Sequence, residues 1–457
     1  MTEQIKKALN DSVAVRWTVL LIISFTMAAN YFFYDAVSPL KELLTEHLAF
    51  TSSDFGIFIS AYSFPNVFLA MAVLGGIICD KLGIRITGFG FTFMMLLGAL
   101  LTGYGATDYY NQGGLGYGLM SSFLSGYSPA LKMMSLGFFV FGLGAETSIV
   151  VITKAIVKWF KGKELALAMG INLAIARLGS ALSLNVSPKM LEPYWVKPIW
   201  FSAFLLALGL LAFFVYIIYD VKLDQQTKID VEEEDPFKFS DIVKLIKIPS
   251  YIYIALLCVT FYSAVFPFIK YAPDLLRNKF GLSLSLSSDI TSMVYYGTMI
   301  FTPLFGWFTD KKGKSASLMV YGSILLIIVH LTLSLTTITP YIPMFLLGIA
   351  FSLIPAAMWP SVTKIVDESK LGTAYGLMFS IQNLGLWGFP ILIGTVLDAS
   401  NPGVAEAINR GEEAVYNYTN PILMLSVLGA FGLVFAFLLK RADKKSDFGL
   451  ELPNVAE

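Results

Sequence analysis

About a dozen apolar stretches, each long enough to cross a bilayer, constrain this chain more than anything else in it. A hydrocarbon core about 30 Å thick needs roughly 17–25 apolar residues in a helix. Within that core every backbone N–H and C=O must find its partner internally, so only helices and closed barrels span it. Runs of this length suit helices. The expected spans are 16–36, 54–79, 85–104, 132–157, 164–187, 197–220, 250–271, 286–309, 316–338, 340–364, 372–397 and 420–440. The chain therefore reads as an all-α membrane protein with twelve transmembrane helices. Composition agrees, since 56% of the 457 residues are hydrophobic and only 14% are charged, against about 25% charged in soluble domains.

An even number of spans puts both termini on one face, and the basic residues choose which. Counting the termini and the turns after spans 2, 4, 6, 8 and 10, 22 of the 32 Lys and Arg lie on that face and eight on the other. Short basic loops stay cytoplasmic, so both termini are expected inside. The formal net charge of zero offers no electrostatic footprint for nucleic acid. Cys79 and Cys258 both fall in apolar spans, which implies neither a disulfide framework nor a thiolate metal site. A cleavable signal peptide is not expected, because the first apolar run is long enough to span and has no small-residue cleavage site after it. No nucleophile with a base, metal-ligand cluster or phosphate loop stands out. The expectation is no enzyme and no cofactor.

The chain also repeats itself. Gly76-Ile77-Ile78-Cys79-Asp80-Lys81-Leu82-Gly83-Ile84-Arg85 ends the second span, and Gly306-Trp307-Phe308-Thr309-Asp310-Lys311-Lys312-Gly313-Lys314 ends the eighth, 230 positions later. Ala168-Met169-Gly170 pairs with Ala374-Tyr375-Gly376, and Leu178-Gly179 with Leu384-Gly385. Repeats in the same orientation give two parallel six-helix halves around a central cavity. The expected division is 1–219, a cytoplasmic linker at 220–249, and 250–457. In the linker, 230–235 is an acidic solvated run, while Phe239, Ile242, Val243 and Ile246 with nearby lysines suggest a short helix on the membrane surface. The turns carrying Asp80, Lys81, Gly83 and Arg85, and Asp310, Lys311 and Gly313, read as gating latches. Each can pin neighbouring helices in one state and release them in another.

Two charges lie deep inside spans. Glu146 is 14 residues from Lys132 and Arg177 13 from Glu164, or about 21 and 20 Å along their helices. An ionisable group there costs at least about 2.5–3.5 kcal/mol and marks a functional site by default. Opposite signs on adjacent helices suggest a site that reads both ends of a zwitterion; the structural alternative is a salt bridge between the two helices. In the repeat Arg177 falls opposite Asn383, so the site is asymmetric. Weaker candidates are Asn30 and Tyr34, four apart on span 1, and Gln382, Asn383 and Trp387 on span 11, which offer polar edges and an aromatic wall. Asp35 is expected near the outer surface, and Tyr262, Tyr295, Tyr296 and His330 as packing. Pro267, Pro355, Pro360 and Pro390 suggest bent helices. The loop at 105–131, rich in Gly and Tyr, is open between a fold over the outer mouth and a disordered insert.

The duplicated Asp-Lys-x-Gly turn across twelve spans resembles the major facilitator superfamily. Within it the chain is similar to the lysosomal dipeptide uniporter branch, on Tyr31-Phe32-Phe33-Tyr34-Asp35, Tyr62-Ser63-Phe64-Pro65-Asn66-Val67, Phe141–Asn185, Ala264–Ile269, Leu371–Gly376 and Ser380–Gly385. That resemblance implies a dipeptide facilitator working by alternating access, with Glu146 on the substrate amino terminus and Arg177 on its carboxylate. It also implies uniport. The start lacks the acidic dileucine signal of animal members, so a plasma (inner) membrane is expected rather than a lysosome. The partners expected are a dipeptide or other zwitterion and the lipid bilayer, with the protein a monomer. The alternatives are an amino-acid or organic-anion carrier using Arg177 alone, a proton-coupled symporter using Glu146, and a receptor or scaffold that transports nothing.

Overall fold

The computed structural model describes residues 9–226 and 239–453. The first half runs through α1 (Val13–Ala36), α2 (Lys41–Leu48), α3 (Ser52–Ser60), α4 (Phe64–Phe68) and α5 (Met71–Gly105). It continues with α6 (Asp108–Asn111), α7 (Tyr117–Ser121), α8 (Pro129–Phe160), α9 (Leu165–Val186) and α10 (Lys197–Asp224). A short α11 (Phe239–Leu245) leads into α12 (Pro249–Phe280), α13 (Leu284–Lys312) and α14 (Ser315–Leu335). The chain ends with α15 (Tyr341–Ile365), α16 (Leu371–Ser400), α17 (Val404–Asn409) and α18 (Thr419–Ser446).

Among the described residues, ten helices are long and apolar enough to cross a membrane. Two further crossings complete the expected twelve. One is α13, 29 residues long but diluted by serines, tyrosines and charges. The other is the second crossing, which the sequence presents as one span and the structure breaks into α3, α4 and the start of α5. Pro65 sits in the first turn of α4, where its missing N–H forbids continuation of the preceding helix. Ala70 then takes a left-handed φ of 50°, and the Asn66 side chain accepts from Ala72 N at 2.9 Å to rejoin the segment.

Local chemistry sets the ends. Thr51 and Asp54 form a capping box that opens α3, and Ser128 accepts from Leu131 N at 3.1 Å ahead of Pro129 at the start of α8. Both arrangements satisfy donors that a helix N-terminus leaves free. Gly281, at φ 64°, closes α12. The prolines expected to bend helices lie inside α12, α15 and α16, and those helices run through them.

The two repeated turns fold alike. A side chain at Gly75 would meet Thr147, whereas side chains at Gly88, Gly98 and Gly105 would meet Val151, Phe141 and Met133 in turn. The chain before Gly83 therefore runs parallel to α8 and the chain after it antiparallel. Gly83 makes that reversal at φ 79° and ψ 161°, a conformation essentially reserved for glycine. Gly313 ends α13 at φ 69°. What holds the two turns differs. Around the first, Arg85 pairs with Asp220 and Asp224, and Lys154 with Asp80. Around the second lies the chain's own C-terminal segment, with Lys314 N and Ser315 N donating to Glu451 O and Leu450 O.

The halves join on the face away from the termini. Asp398, near the end of α16, accepts from Ser52 N and Ser53 N at 2.9 and 2.7 Å. Asn185 on α9 donates to Asp289 on α13 at 2.6 Å. On the terminal face, Arg16–Glu164, Lys158–Asp220 and Lys440–Glu451 each stay within one half. The cleft between the halves opens towards the termini. The 105–131 loop is folded rather than disordered, with Tyr110 fully buried and donating to Pro129 O at 3.1 Å. In α11, Leu245 is buried and Val243 exposed; the acidic run at 230–235 lies outside the described residues.

Gly83→Ala should lower the thermal midpoint of the purified protein by an amount equivalent to about 1–3 kcal/mol, the cost of a strained φ/ψ. Gly313→Ala should cost more, because its Cβ would also collide with the Leu452 backbone. Unfolding curves of the two variants in detergent check the order.

Candidate functional site

Glu146 on α8 and Arg177 on α9 both lie half-buried in the cleft. Among the described residues no ion pair within 4 Å joins them, so the structural salt bridge is not made in this state. Tyr62 and Asn66, both delivered by the broken second crossing, stand within interaction range of the Glu146 carboxylate, while the Asn66 amide nitrogen is buried without a hydrogen-bond partner. Tyr31 on α1 stands within electrostatic reach of both charges.

Arg177 is held by rings. Its Cζ lies 5.7 Å from the Tyr31 centroid, 5.7 Å from Phe266 and 5.1 Å from Phe351, all within cation–π range. Two of these rings belong to the second half. Its Nη1 is buried with no hydrogen-bond partner, and an unsatisfied buried donor of this kind costs about 1–3 kcal/mol. Behind Arg177 the aromatic wall continues, with Phe266 5.7 Å from Tyr262, and Trp359 Nε1 donating to Tyr262 Oη at 3.0 Å. The first half thus supplies two charges of opposite sign and the second an aromatic wall. An unfilled planar donor fork and a carboxylate in one cleft can take the two ends of a zwitterion.

The remaining candidates divide. Asn30 is buried on α1, one turn before Tyr34. Gln382 accepts from Cys258 Sγ at 3.8 Å. Asn383 donates to Phe379 O at 3.0 Å, and its Oδ1 is buried without a partner. Trp387 departs from expectation. Its ring packs 5.2 Å from Phe68 and lines a groove on the flank of the molecule, so its contacts lie away from the charged pair.

Asp35 lies towards the outer face, as expected, but it is paired and out of contact with solvent. It is fully buried, and Lys270 on α12 donates to it at 2.7 Å and to the Tyr34 carbonyl. The Lys270 ammonium sits 3.3 Å over the Tyr34 ring. A second sealed pair, Lys41–Asp274 at 2.9 Å, follows it. Both pairs cross from the first half to α12, and Tyr34 belongs to this closure. Sequence reading took Lys41 and Lys270 as topology signals. Phe266 and Phe351 went unremarked because a phenylalanine inside an apolar span is the commonest of residues. His330 is fully buried, with Nδ1 2.9 Å from Leu326 O and Nε2 without a partner.

The turn residues sit on the terminal face. Asp80 and Lys154 pair at a surface where the Asp80 side chain is 63% exposed, while Lys81 is exposed. Arg85 donates to Asp220 at 2.7 Å, and Asp220 also receives Lys158 at 2.9 Å and Tyr216 at 3.0 Å. Lys311 lies over the Trp307 ring at 5.3 Å. At the start of α9 the Arg16 guanidinium holds the Glu164 carboxyl below its usual pKa.

A family model described as the Major Facilitator Superfamily matches residues 20–390 and 269–451. Lysosomal dipeptide transporter MFSD1 of Mus musculus is 33% identical over 401 residues, covering 85% of this chain and 81% of that protein. A bacterial homolog to the human lysosomal transporter Spinster, inward-facing and unoccupied, superposes with a TM-score of 0.66 at 14% identity, over 95% of this chain and 98% of its own. Nucleoside transporter NupG does so at 0.67 and 14%, over 93% and 99%. At that identity these two structures speak for the fold alone.

Asp220→Asn should destabilise the protein by about 1–3 kcal/mol, because it removes the buried carboxylate that Lys158, Tyr216 and Trp159 share, while Lys158 and Arg85 keep Asp224. Asp80→Asn, which removes an exposed pair, should cost less than about 1 kcal/mol. Denaturant or thermal unfolding of the two variants side by side checks the contrast.

Proposed function

The chain belongs to the Major Facilitator Superfamily, on the branch that holds the lysosomal dipeptide transporter MFSD1, and we propose that it carries dipeptides across a membrane by alternating access. One observation carries the reading: Arg177 and Glu146 share a cleft without pairing, and an Arg177 donor is left unfilled. A substrate carboxylate completes the Arg177 fork, and the substrate ammonium meets Glu146 beside Tyr62 and Asn66. A free amino acid keeps both charges on one carbon. A dipeptide separates them by one further residue, up to ~3.5 Å more. Asn30, Gln382 and Asn383 supply polar edges to the same cleft.

The closed outer face defines the other half of the cycle. Opening it requires Asp35–Lys270 and Lys41–Asp274 to separate, each of which is buried and so strongly disfavours being broken without compensation. The two turns, with Asp80, Lys81, Gly83 and Arg85, and Asp310, Lys311 and Gly313, act as latches that re-form on the terminal face. The division into 1–219, 220–249 and 250–457 follows the rocking units, although α10 runs on to Asp224. We place the protein in a plasma membrane with both termini cytoplasmic, as a monomer running facilitative uniport without a cofactor.

Thermal stabilisation of purified protein by dipeptides, single amino acids and end-blocked dipeptides tests the substrate class, since stabilisation grows with ligand concentration over Kd. Stabilisation by dipeptides with both ends free, and by none of the others, is expected. Equal stabilisation by plain carboxylates would replace this reading with an organic-anion carrier on Arg177 alone. Arg177→Lys should weaken dipeptide binding about 10–100-fold, the loss of a charged, bidentate bond worth about 1.5–3 kcal/mol. Glu146→Gln should weaken free-amine dipeptides by a similar factor while leaving N-acetylated ones nearly unchanged. Binding isotherms for the two ligand sets check both.

A further inference from the structure

The groove that holds Trp387 has a chemistry of its own. It is a cavity of about 460 Å³ on the outer-face flank of the molecule, bounded by α3, α4, α8 and α16 and roofed by the loop before α8. Met120 and Leu131 are the buried part of its apolar lining, and Trp387 is half-buried in it. Phe64, Phe123, Leu124, Tyr127 and Leu136 are exposed along its rim, so it opens sideways. In a membrane protein that side is the bilayer.

Its few polar groups are arranged in order of depth. Lys132 stands at the rim, donating to Phe123 O at 2.6 Å and Leu124 O at 3.4 Å, with the Phe123 ring 5.0 Å away. Those partners are neutral. Among the described residues no acid lies within ion-pair distance of Lys132, so its charge is held in place and uncompensated. One turn deeper, Ser135 Oγ is buried without a partner, and deeper still Ser60 Oγ, on a residue only 1% exposed, is also unpartnered. Neither hydroxyl oxygen has surface open to the groove, so the groove presents a fixed cation at its rim and an apolar slot, which match an amphiphile with an anionic head.

We propose that this groove is a binding site for one anionic phospholipid of the outer-face leaflet. Its phosphate pairs with Lys132, and one acyl chain lies against Trp387. The walls come from both halves, α3, α4 and α8 from the first and α16 from the second. The lipid therefore bridges the seam where the outer face is closed.

Trp387 is a built-in reporter. The protein is reconstituted with phosphatidylglycerol or phosphatidylcholine carrying brominated acyl chains, and quenching is read as the difference between wild type and Trp387→Phe. At equal mole fraction the Trp387 signal should be quenched at least about threefold more effectively by the phosphatidylglycerol. Lys132→Gln should abolish that preference while leaving the Tm nearly unchanged. Equal quenching by both lipids in the wild type would reduce the groove to ordinary annular contact and overturn the proposal. So would an absence of quenching, which would mean that the loop or a protein partner fills it. Should Trp387→Phe fail to fold, native mass spectrometry decides. One phosphatidylglycerol retained by wild type and lost from Lys132→Gln supports the site, and equal retention by both sinks it.

Discussion

Charge inside a bilayer must be answered, and this protein answers it in two ways. Asp35–Lys270 and Lys41–Asp274 are sealed and mutually neutralised, with side-chain exposures between 0 and 4%. Glu146 and Arg177 are left without each other, half-buried in a cleft. The difference follows from what each pair joins. The sealed pairs link the first half to α12, so their neutralisation and the closure of the outer face are one event. The open pair sits within the first half, on α8 and α9, and does not depend on the seam being shut. An ion pair removed from water is worth keeping only where its geometry is complete. The outer pairs have that geometry, and the central charges are without it in this state.

The internal repeat supplies the scaffold and the asymmetry supplies the site. Both halves reverse direction at a glycine of positive φ after an Asp-Lys pair, at Gly83 and Gly313. The surroundings of the two turns have nonetheless diverged. Asp220 gathers Arg85, Lys158 and Tyr216 about the first. About the second, Glu451 is bonded by Ser317 N and Oγ, and Lys364 donates to the carbonyls of Gly449 and Leu452. One turn is secured by a neighbouring helix and the other by the chain's own C-terminal segment. The same divergence runs through the cleft, where Arg177 has only Asn383 as its counterpart in the repeat.

Much of this was legible in the sequence because the membrane imposes a single requirement, the length of an apolar run, that does not depend on tertiary contacts. The twelve crossings, the duplicated turns and the two deep charges all come from that rule. What failed to show were features decided by pairing over long separations. Lys270 reaches Asp35 across 235 positions, and nothing local distinguishes it from a lysine that only sets topology. The second crossing looked continuous because five apolar residues around Pro65 and Ala70 keep the hydropathy high while the backbone breaks. Trp387 shares a polar neighbourhood with Gln382 and Asn383 on α16, yet packs against Phe68 instead. Sequence spacing gives the helix face roughly, and the packing of α3 and α4 decides what that face meets.

The aromatic hold on Arg177 ties these threads together. Phe266 and Phe351 lie 5.7 and 5.1 Å from the guanidinium and belong to the opposite half. Ring faces attract the cation without consuming its hydrogen-bond donors, so the fork stays available while its position is fixed. A carboxylate in place of these rings would have filled the fork and given the cleft no reason to bind substrate. The rings also make Arg177 a point of contact between halves at mid-depth, between the sealed outer pairs and the open terminal face. Any movement that separates α9 from α12 and α15 must draw Arg177 off its rings. On the proposed reading, substrate binding and the movement of the halves are connected through this one side chain.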